Sequence, residues 1–333
     1  MFTFNEEFDE ALTRIQPNAA RAQSAHAEVT SVLEGSSTLR SWGLAPVLIG
    51  SYARDTAIYP GKDADIFARL TALDTSVSPM EVFESTCKIL VEHYGERAQP
   101  QNRSIKITFE KETNVKPGFA VDVVPAVKAG GVWAIPRRNR KLWEKEDARW
   151  RLTNPQRLTE LTQQRNRSPQ VSGRGAYVPV VKLMRQIRKH WLGKNKPGGL
   201  YIELCTYWVF EEGVSEGTYA ETLADVLGKV ATRLSTAVTS PLIDPAMGDQ
   251  YSPAPHPDEL LRATTCFNKL ASDAHDALRG DKCPAAVLWR AILGKNRRGY
   301  CFVLPEGCDE QGRPTKNVRV GRSAGSDEAR SFA

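Results

Sequence analysis

The chain has no apolar run approaching the length of a membrane span, and its first residues, Met-Phe-Thr-Phe-Asn-Glu-Glu, lack the basic and apolar regions of a signal peptide. A cytoplasmic location without membrane attachment is therefore expected. The six cysteines, Cys87, Cys205, Cys266, Cys283, Cys301 and Cys308, include no C-x-x-C pair and have no histidine at ligand spacing. This argues against a structural zinc site and for reduced thiols. Large charge excess is also missing. With 45 Lys and Arg against 39 Asp and Glu the net charge is only +6. That suits a protein handling phosphates, but it is modest for an extended RNA-binding face, which needs many phosphate contacts. No internal repeat is visible. What remains is 333 residues of ordinary globular composition, 41% hydrophobic and 25% charged, enough for one large or two closely packed domains.

The informative residues are Gly50-Ser51, Asp63-Ala-Asp65 and Asp122. Ala45-Pro-Val-Leu-Ile49 is a short apolar run ending in Gly-Ser, the pattern of a buried strand turning into a loop whose backbone N–H groups can approach a phosphate. Ser51 adds a hydroxyl donor. On a strand, Asp63 and Asp65 point to one face while Ala64 and Ile66 point to the other. In Phe119-Ala-Val-Asp-Val-Val124, Asp122 shares its side with Ala120 and Val124, so a neighbouring strand can bring a third carboxylate to the first two.

Three carboxylates of this kind suit Mg²⁺, which keeps some waters and completes its shell with substrate phosphates. Two such ions can activate an attacking hydroxyl and stabilise a pyrophosphate leaving group. A lone Asp-x-Asp is usually a solvated turn, and Gly-Ser alone says little. The combination with an aspartate inside an apolar strand favours a metal-dependent nucleotidyl-transfer site.

Helical spacing covers residues 5 to 39 with an interruption at Pro17, and reads as a leading helix on the back of a sheet. Strands are predicted at 45–50, 63–70, 104–110 and 118–125, with a helix at 79–95 and a further short strand ending at Pro136. After about residue 150 the pattern turns helical, with segments at 177–191, 201–211, 218–238, 257–279 and 284–293. Basic residues crowd 137–141, 185–196 and the region from Lys295 onward. The polar stretch from Gly307 is expected to be mobile.

Gly50-Ser-Tyr-Ala-Arg-Asp-Thr-Ala-Ile58, Lys62-Asp-Ala-Asp-Ile-Phe67 and Val121-Asp-Val-Val-Pro125 resemble the polymerase-β-like nucleotidyltransferases. Within them they resemble the CD-NTases, bacterial relatives of cyclic GMP-AMP synthase and oligoadenylate synthase that act in CBASS anti-phage defence. Lys189-His-Trp191, Lys196-Pro and Tyr201-Ile-Glu-Leu204 are similar to the helical lobe of oligoadenylate synthase. Ile243-Asp-Pro245 and Leu288-Trp-Arg-Ala-Ile-Leu-Gly294 are similar to later segments of the bacterial enzymes. Gly199 departs from the pattern, standing where oligoadenylate synthases carry a nucleotide-contacting glutamine.

The resemblance implies an α+β fold. Its polymerase-β-like nucleotidyltransferase core, a mixed sheet with helices over residues 1–155, packs against a C-terminal helical lobe over 156–306, followed by a flexible tail over 307–333. It implies synthesis of a cyclic di- or trinucleotide second messenger from ATP or other ribonucleoside triphosphates, without a nucleic-acid template and with release of pyrophosphate. Asp63, Asp65 and Asp122 would be catalytic and hold two Mg²⁺ ions, with Mn²⁺ as a substitute. Gly50 and Ser51 would cradle the donor phosphates, and a CBASS regulatory partner would act at the C-terminus.

Lys189, on the polar stripe of its helix, is the candidate triphosphate grip, with Lys182 and Arg185 as substitutes. Arg54 either reaches phosphate from the Gly-Ser loop or pairs with Asp55 or Asp74. Tyr52, His190 and Trp191 read as packing residues. Competing readings are a transferase acting on an RNA 3′ end as CCA-adding enzymes do, a linear oligonucleotide synthase, a transferase of AMP to protein, and a catalytically silent nucleotide sensor.

Overall fold

The computed structural model describes residues 2–109 and 118–315. The chain opens with helices α1 (Asn5–Ile15), α2 (Ala19–Gly35) and α3 (Ser37–Ser41), then strand β1 (Leu44–Ile49), the single turn α4 (Gly50–Ala53) and the long strand β2 (Asp63–Asp74). Helix α5 (Pro79–Tyr94) leads to β3 (Ala98–Pro100), β4 (Ile105–Phe109), β5 (Phe119–Ala129), β6 (Val132–Pro136) and β7 (Trp150–Thr153). These seven strands form one mixed sheet in which β2 and β5 are parallel neighbours at the centre and β1 flanks β2. The opposite edge of β5 is shared. Residues 119–123 pair with β4, and residues 127–129 pair with β6.

Period-two alternation decides what lies on each face of this sheet. Ala64, Ile66, Ala68 and Leu70 of β2, with Val121 and Val123 of β5, are buried against Ala25, Val29 and Leu33 of α2 and Val82, Phe83 and Leu90 of α5. Helix α5 starts where Ser78 caps the amide of Met80, with Pro79 at the first helical position. On the other face a small cluster of Phe67, Ala126, Ile135 and their neighbours Val124 and Trp133 supports the aspartate ends of the strands.

The remaining elements are α6 (Pro155–Arg165), the hairpin β8 (Gln170–Val171) and β9 (Arg174–Gly175), α7 (Tyr177–Leu192), α8 (Gly199–Glu212), α9 (Tyr219–Thr236), α10 (Pro257–Arg279), α11 (Lys282–Leu293), and the hairpin β10 (Lys295–Asn296) and β11 (Gly299–Tyr300). Helix α8 is buried almost all round, and α9 begins with a capping box between Thr218 and Glu221.

Three expectations from sequence are corrected. The leading segment is not one unit on the back of the sheet: Pro17 separates α1 from α2, and α1 buries Phe8, Ala11 and Ile15 in the helical-lobe core. There Phe8 meets Trp289 and Phe302 edge-on at 5.2 and 5.4 Å. Cys283 and Cys308 are joined in a disulfide rather than both being free thiols. The stretch expected to be loose from Gly307 is held as far as Thr315. The disulfide, an Arg290–Glu310 ion pair and the bond from Thr315 N to Gly307 O tie it to α11 and to itself. Residues 316–333, the rest of the expected flexible tail, lie outside the described residues, as does residue 110 of the third expected strand.

Candidate active site

The parallel register of β2 and β5 sets Asp65 directly beside Asp122 and Asp63 beside Ala120. Since Ala64 and Ile66 are spent on the helix-backed face, all three aspartates fall on the open face. Gly50, at the turn from β1 into α4, has φ +74°, and a Cβ there would lie 2.0 Å from Asp65 Oδ2. Only glycine lets the backbone of this turn approach the carboxylate so closely. Ser51 anchors the loop behind it, its carbonyl accepting from the amides of Thr56 and Ala57 at 2.8 and 3.0 Å.

The carboxylates are electrostatically uncomfortable. Burial, then repulsion from Asp63 and Asp122, pushes Asp65 up to about 7, with Arg54 and Arg185 opposing the shift. Asp122 is raised by burial and by Asp63, and its Oδ1 is buried without a hydrogen-bond partner. Among the described residues no group of three or more His, Cys, Asp or Glu is gathered as a ready-made metal site. Like charges separate when no cation holds them. A buried oxygen lacking a donor beside two mutually repelling carboxylates nevertheless fits a divalent cation, an all-oxygen set of hard ligands.

The other expected residues divide. Lys189 of α7 faces the sheet lobe, donating from Nζ to the carbonyl of Tyr59 at 2.6 Å. Burial, then the cations Lys62 and Arg297, push it down to about 8, so it sits in a positive pocket beside the start of β2. Lys182 is buried and bound at 2.8 Å to Asp55, a contact between the lobes rather than an open grip. Arg54 does not reach for phosphate and pairs with neither Asp55 nor Asp74. It is buried against Glu203 of α8, with Nε 2.6 Å from Oε1. Glu203 is only 1% exposed and also accepts from Arg185 and from the hydroxyl of Thr56 at 3.1 and 3.2 Å. These donors hold its carboxyl below the usual range despite burial. Tyr52 packs edge-on against Phe119, its hydroxyl buried without a partner, and burial followed by Asp63 pushes it up to about 12.

Glu203 was missed from sequence as a site component, although a carboxylate in the apolar run Tyr201-Ile-Glu-Leu-Cys205 was the available signal. Arg103 was missed as well. Burial and the neighbouring Arg138 and Arg151 hold its pKa below the usual value, while Tyr251 and Asp65 oppose this. Nothing local in sequence links these positions. The basic run at 137–141 is partly structural: Arg137 donates to the carbonyl of Trp150, and Arg140 lies over the rings of Phe83 and Trp143.

A mixed sheet carrying paired aspartates behind a Gly-Ser turn, closed by a helical lobe, defines a polymerase-β-like nucleotidyltransferase. Residues 2–166, about half of the chain, match the SMODS domain, the Second Messenger Oligonucleotide or Dinucleotide Synthetase domain. The chain belongs to this family, the CD-NTases, and is a nucleotidyltransferase that makes an oligonucleotide or dinucleotide second messenger. No curated protein sequence matches it.

Among solved structures, it is similar to CdnC of E. coli MS115-1 in a CdnC:HORMA-deltaN complex, at 16% identity and TM-score 0.66, covering 87% of this chain and 97% of that one. The same CdnC with ATP matches at 15% identity and TM-score 0.65, covering 90% and 98%. Bradyrhizobium diazoefficiens CdnG with GTP matches at 14% and 0.65, covering 83% and 93%. At such identities the likeness establishes the fold.

Proposed function

We propose that this synthetase joins ribonucleoside triphosphates into a cyclic oligonucleotide, using Asp63, Asp65 and Asp122 to hold two Mg²⁺ ions. The observation that carries this reading is the set of self-repelling carboxylates on the open face of β2 and β5, with Gly50 pressed against Asp65. Bound there, the ions would lower the pKa of the attacking ribose hydroxyl and offset charge on the pyrophosphate. The hydroxyl oxygen forms a bond to the α-phosphorus of a second nucleotide, the bond from that phosphorus to the bridging oxygen breaks, and pyrophosphate leaves.

Gly50 and Ser51 offer backbone and hydroxyl donors to the donor phosphates. Lys189 supplies charge from the helical lobe, and its pKa, depressed by neighbouring cations, rises again when phosphate arrives. The Arg54–Glu203 pair fixes the loop that carries these groups against α8. Structural neighbours captured with ATP, with GTP and with a HORMA chain support triphosphate substrates and a regulatory protein partner in anti-phage signalling.

The test is incubation of the purified chain with all four ribonucleotides and Mg²⁺, followed by mass spectrometry of phosphatase-resistant products. A cyclic product that disappears on chelation is expected. Products with a free 3′ end, or label entering added tRNA, would replace this reading with a linear synthase or an RNA-end transferase.

A further inference from the structure

Arg185 of α7 stands apart from the other buried cations of the interface. Its Nη1 is fully engaged, 3.1 Å from Glu203 Oε2 and 3.2 Å from the Thr56 hydroxyl. The opposite side of the guanidinium is not. Nε is buried without a hydrogen-bond partner, and Nη2 donates to nothing among the described residues. Nε and Nη2 form the edge that grips an oxyanion through two parallel N–H bonds.

That edge has been left room. A Cβ at Gly199, the first residue of α8, would lie 3.4 Å from Nε and 3.5 Å from Nη2 and meet Arg185 before anything else. Glycine at 199 therefore keeps side-chain atoms off the unpaired edge. Arg185 also acts electrostatically on both Asp65 and Lys189, which places it between the carboxylates and the lysine pocket. A buried guanidinium N–H without an acceptor is costly, and a phosphate oxygen is the acceptor its surroundings suit.

We propose that Arg185 is a substrate-contacting residue that grips a phosphate of the bound nucleotide through its Nε–Nη2 edge, and that Glu203 is the positioning residue that aims it. This rests on the cleft being the nucleotide site. Glu203 lies 1% exposed beneath Arg185 and binds both it and Arg54, so the side chain reaching the substrate is braced against the loop carrying Gly50. No covalent step is assigned to either residue.

Binding of α,β-methylene-ATP and of inorganic tripolyphosphate to the full chain tests this, with wild type, Arg185→Ala and Arg185→Lys compared by titration calorimetry. Arg185→Ala weakens both ligands by about tenfold or more, the scale of a lost charge-assisted pair. Arg185→Lys recovers part of the loss, because it keeps the charge without the fork. Glu203→Gln weakens both ligands less than Arg185→Ala, and adding it to Arg185→Ala has no further effect on binding. If Glu203→Gln does not fold, the two Arg185 variants decide the assignment alone. Unchanged affinity in Arg185→Ala overturns the proposal. So does a loss confined to the ATP analogue, which moves Arg185 to the base. Wild type that binds both ligands but makes no product from ribonucleotides defeats the synthetase reading while leaving the Arg185 assignment standing. Wild type that binds neither overturns both.

Discussion

Two charged clusters face each other across the cleft, and they are built on opposite principles. On the sheet, Asp63, Asp65 and Asp122 repel one another, and Asp122 Oδ1 lacks a partner. Below the cleft, Glu203 is more deeply buried yet satisfied by Arg54, Arg185 and Thr56. Burial alone therefore does not distinguish a functional carboxylate from a structural one. The distinction lies in whether the protein itself completes the coordination. Glu203 is complete, and its chemistry is to hold two lobes in register. The aspartates are incomplete, and what completes them must come from outside the chain.

Neutralising the incomplete cluster should separate activity from stability most sharply. Asp63→Asn, Asp65→Asn and Asp122→Asn each nearly abolish product formation, while thermal unfolding of the free protein stays level or rises because repulsion is relieved. Near-normal turnover in any one of them at saturating Mg²⁺ would remove that residue from the site. The complete cluster should respond the other way. Glu203→Ala strands two guanidinium groups and costs about 3–5 kcal/mol in urea unfolding; a loss under 1 kcal/mol would mean the pair is not the brace described.

Lys189→Ala tests the positive pocket between the clusters. It should raise KM for the nucleoside triphosphate by about tenfold with little change in kcat, since a charge on a non-reacting phosphate serves ground and transition states alike. Lys182→Ala does less to KM, its ammonium being occupied by Asp55.

The pH dependence follows from the direction of the lysine shift. With a folded pKa near 8 against the ordinary 10.5, the folded protein binds fewer protons than the unfolded chain between those values, so this group's contribution to stability rises with pH across that window. Affinity for α,β-methylene-ATP runs oppositely, falling as pH passes about 8 because binding must then take up a proton. Calorimetry in buffers of different ionisation heat reads that uptake, and Lys189→Ala should abolish it. Uptake that survives the substitution would assign the proton to another group.

The smallest effect belongs to the chain's end: deleting the residues after Gly321 leaves synthesis in vitro unchanged. Lost activity would mean that the deleted residues contribute to the enzyme.

Local chemistry made the aspartate face legible before any fold was known. Asp63 and Asp65 share a face because strand periodicity is two, Asp122 stands out inside an apolar strand for the same reason, and Gly50-Ser51 marks the end of the preceding strand. The register that sets Asp65 beside Asp122 was not legible, since 57 residues of chain separate them and only strand pairing brings them together. Arg54 shows the same limit. Its sequence neighbours offered Asp55, but its partner is Glu203, 149 residues away, selected by the docking of α8 against the Gly-Ser loop. Pro17 made a break between the first two helices readable, whereas assigning α1 to the helical lobe required the aromatic neighbours of Phe8. The sequence determined which residues carry charge and which face of each element they occupy, because periodicity is a local property of the backbone. Tertiary structure alone decided which charges are answered and which are left open, because a buried ion's state depends on partners that only packing brings within reach.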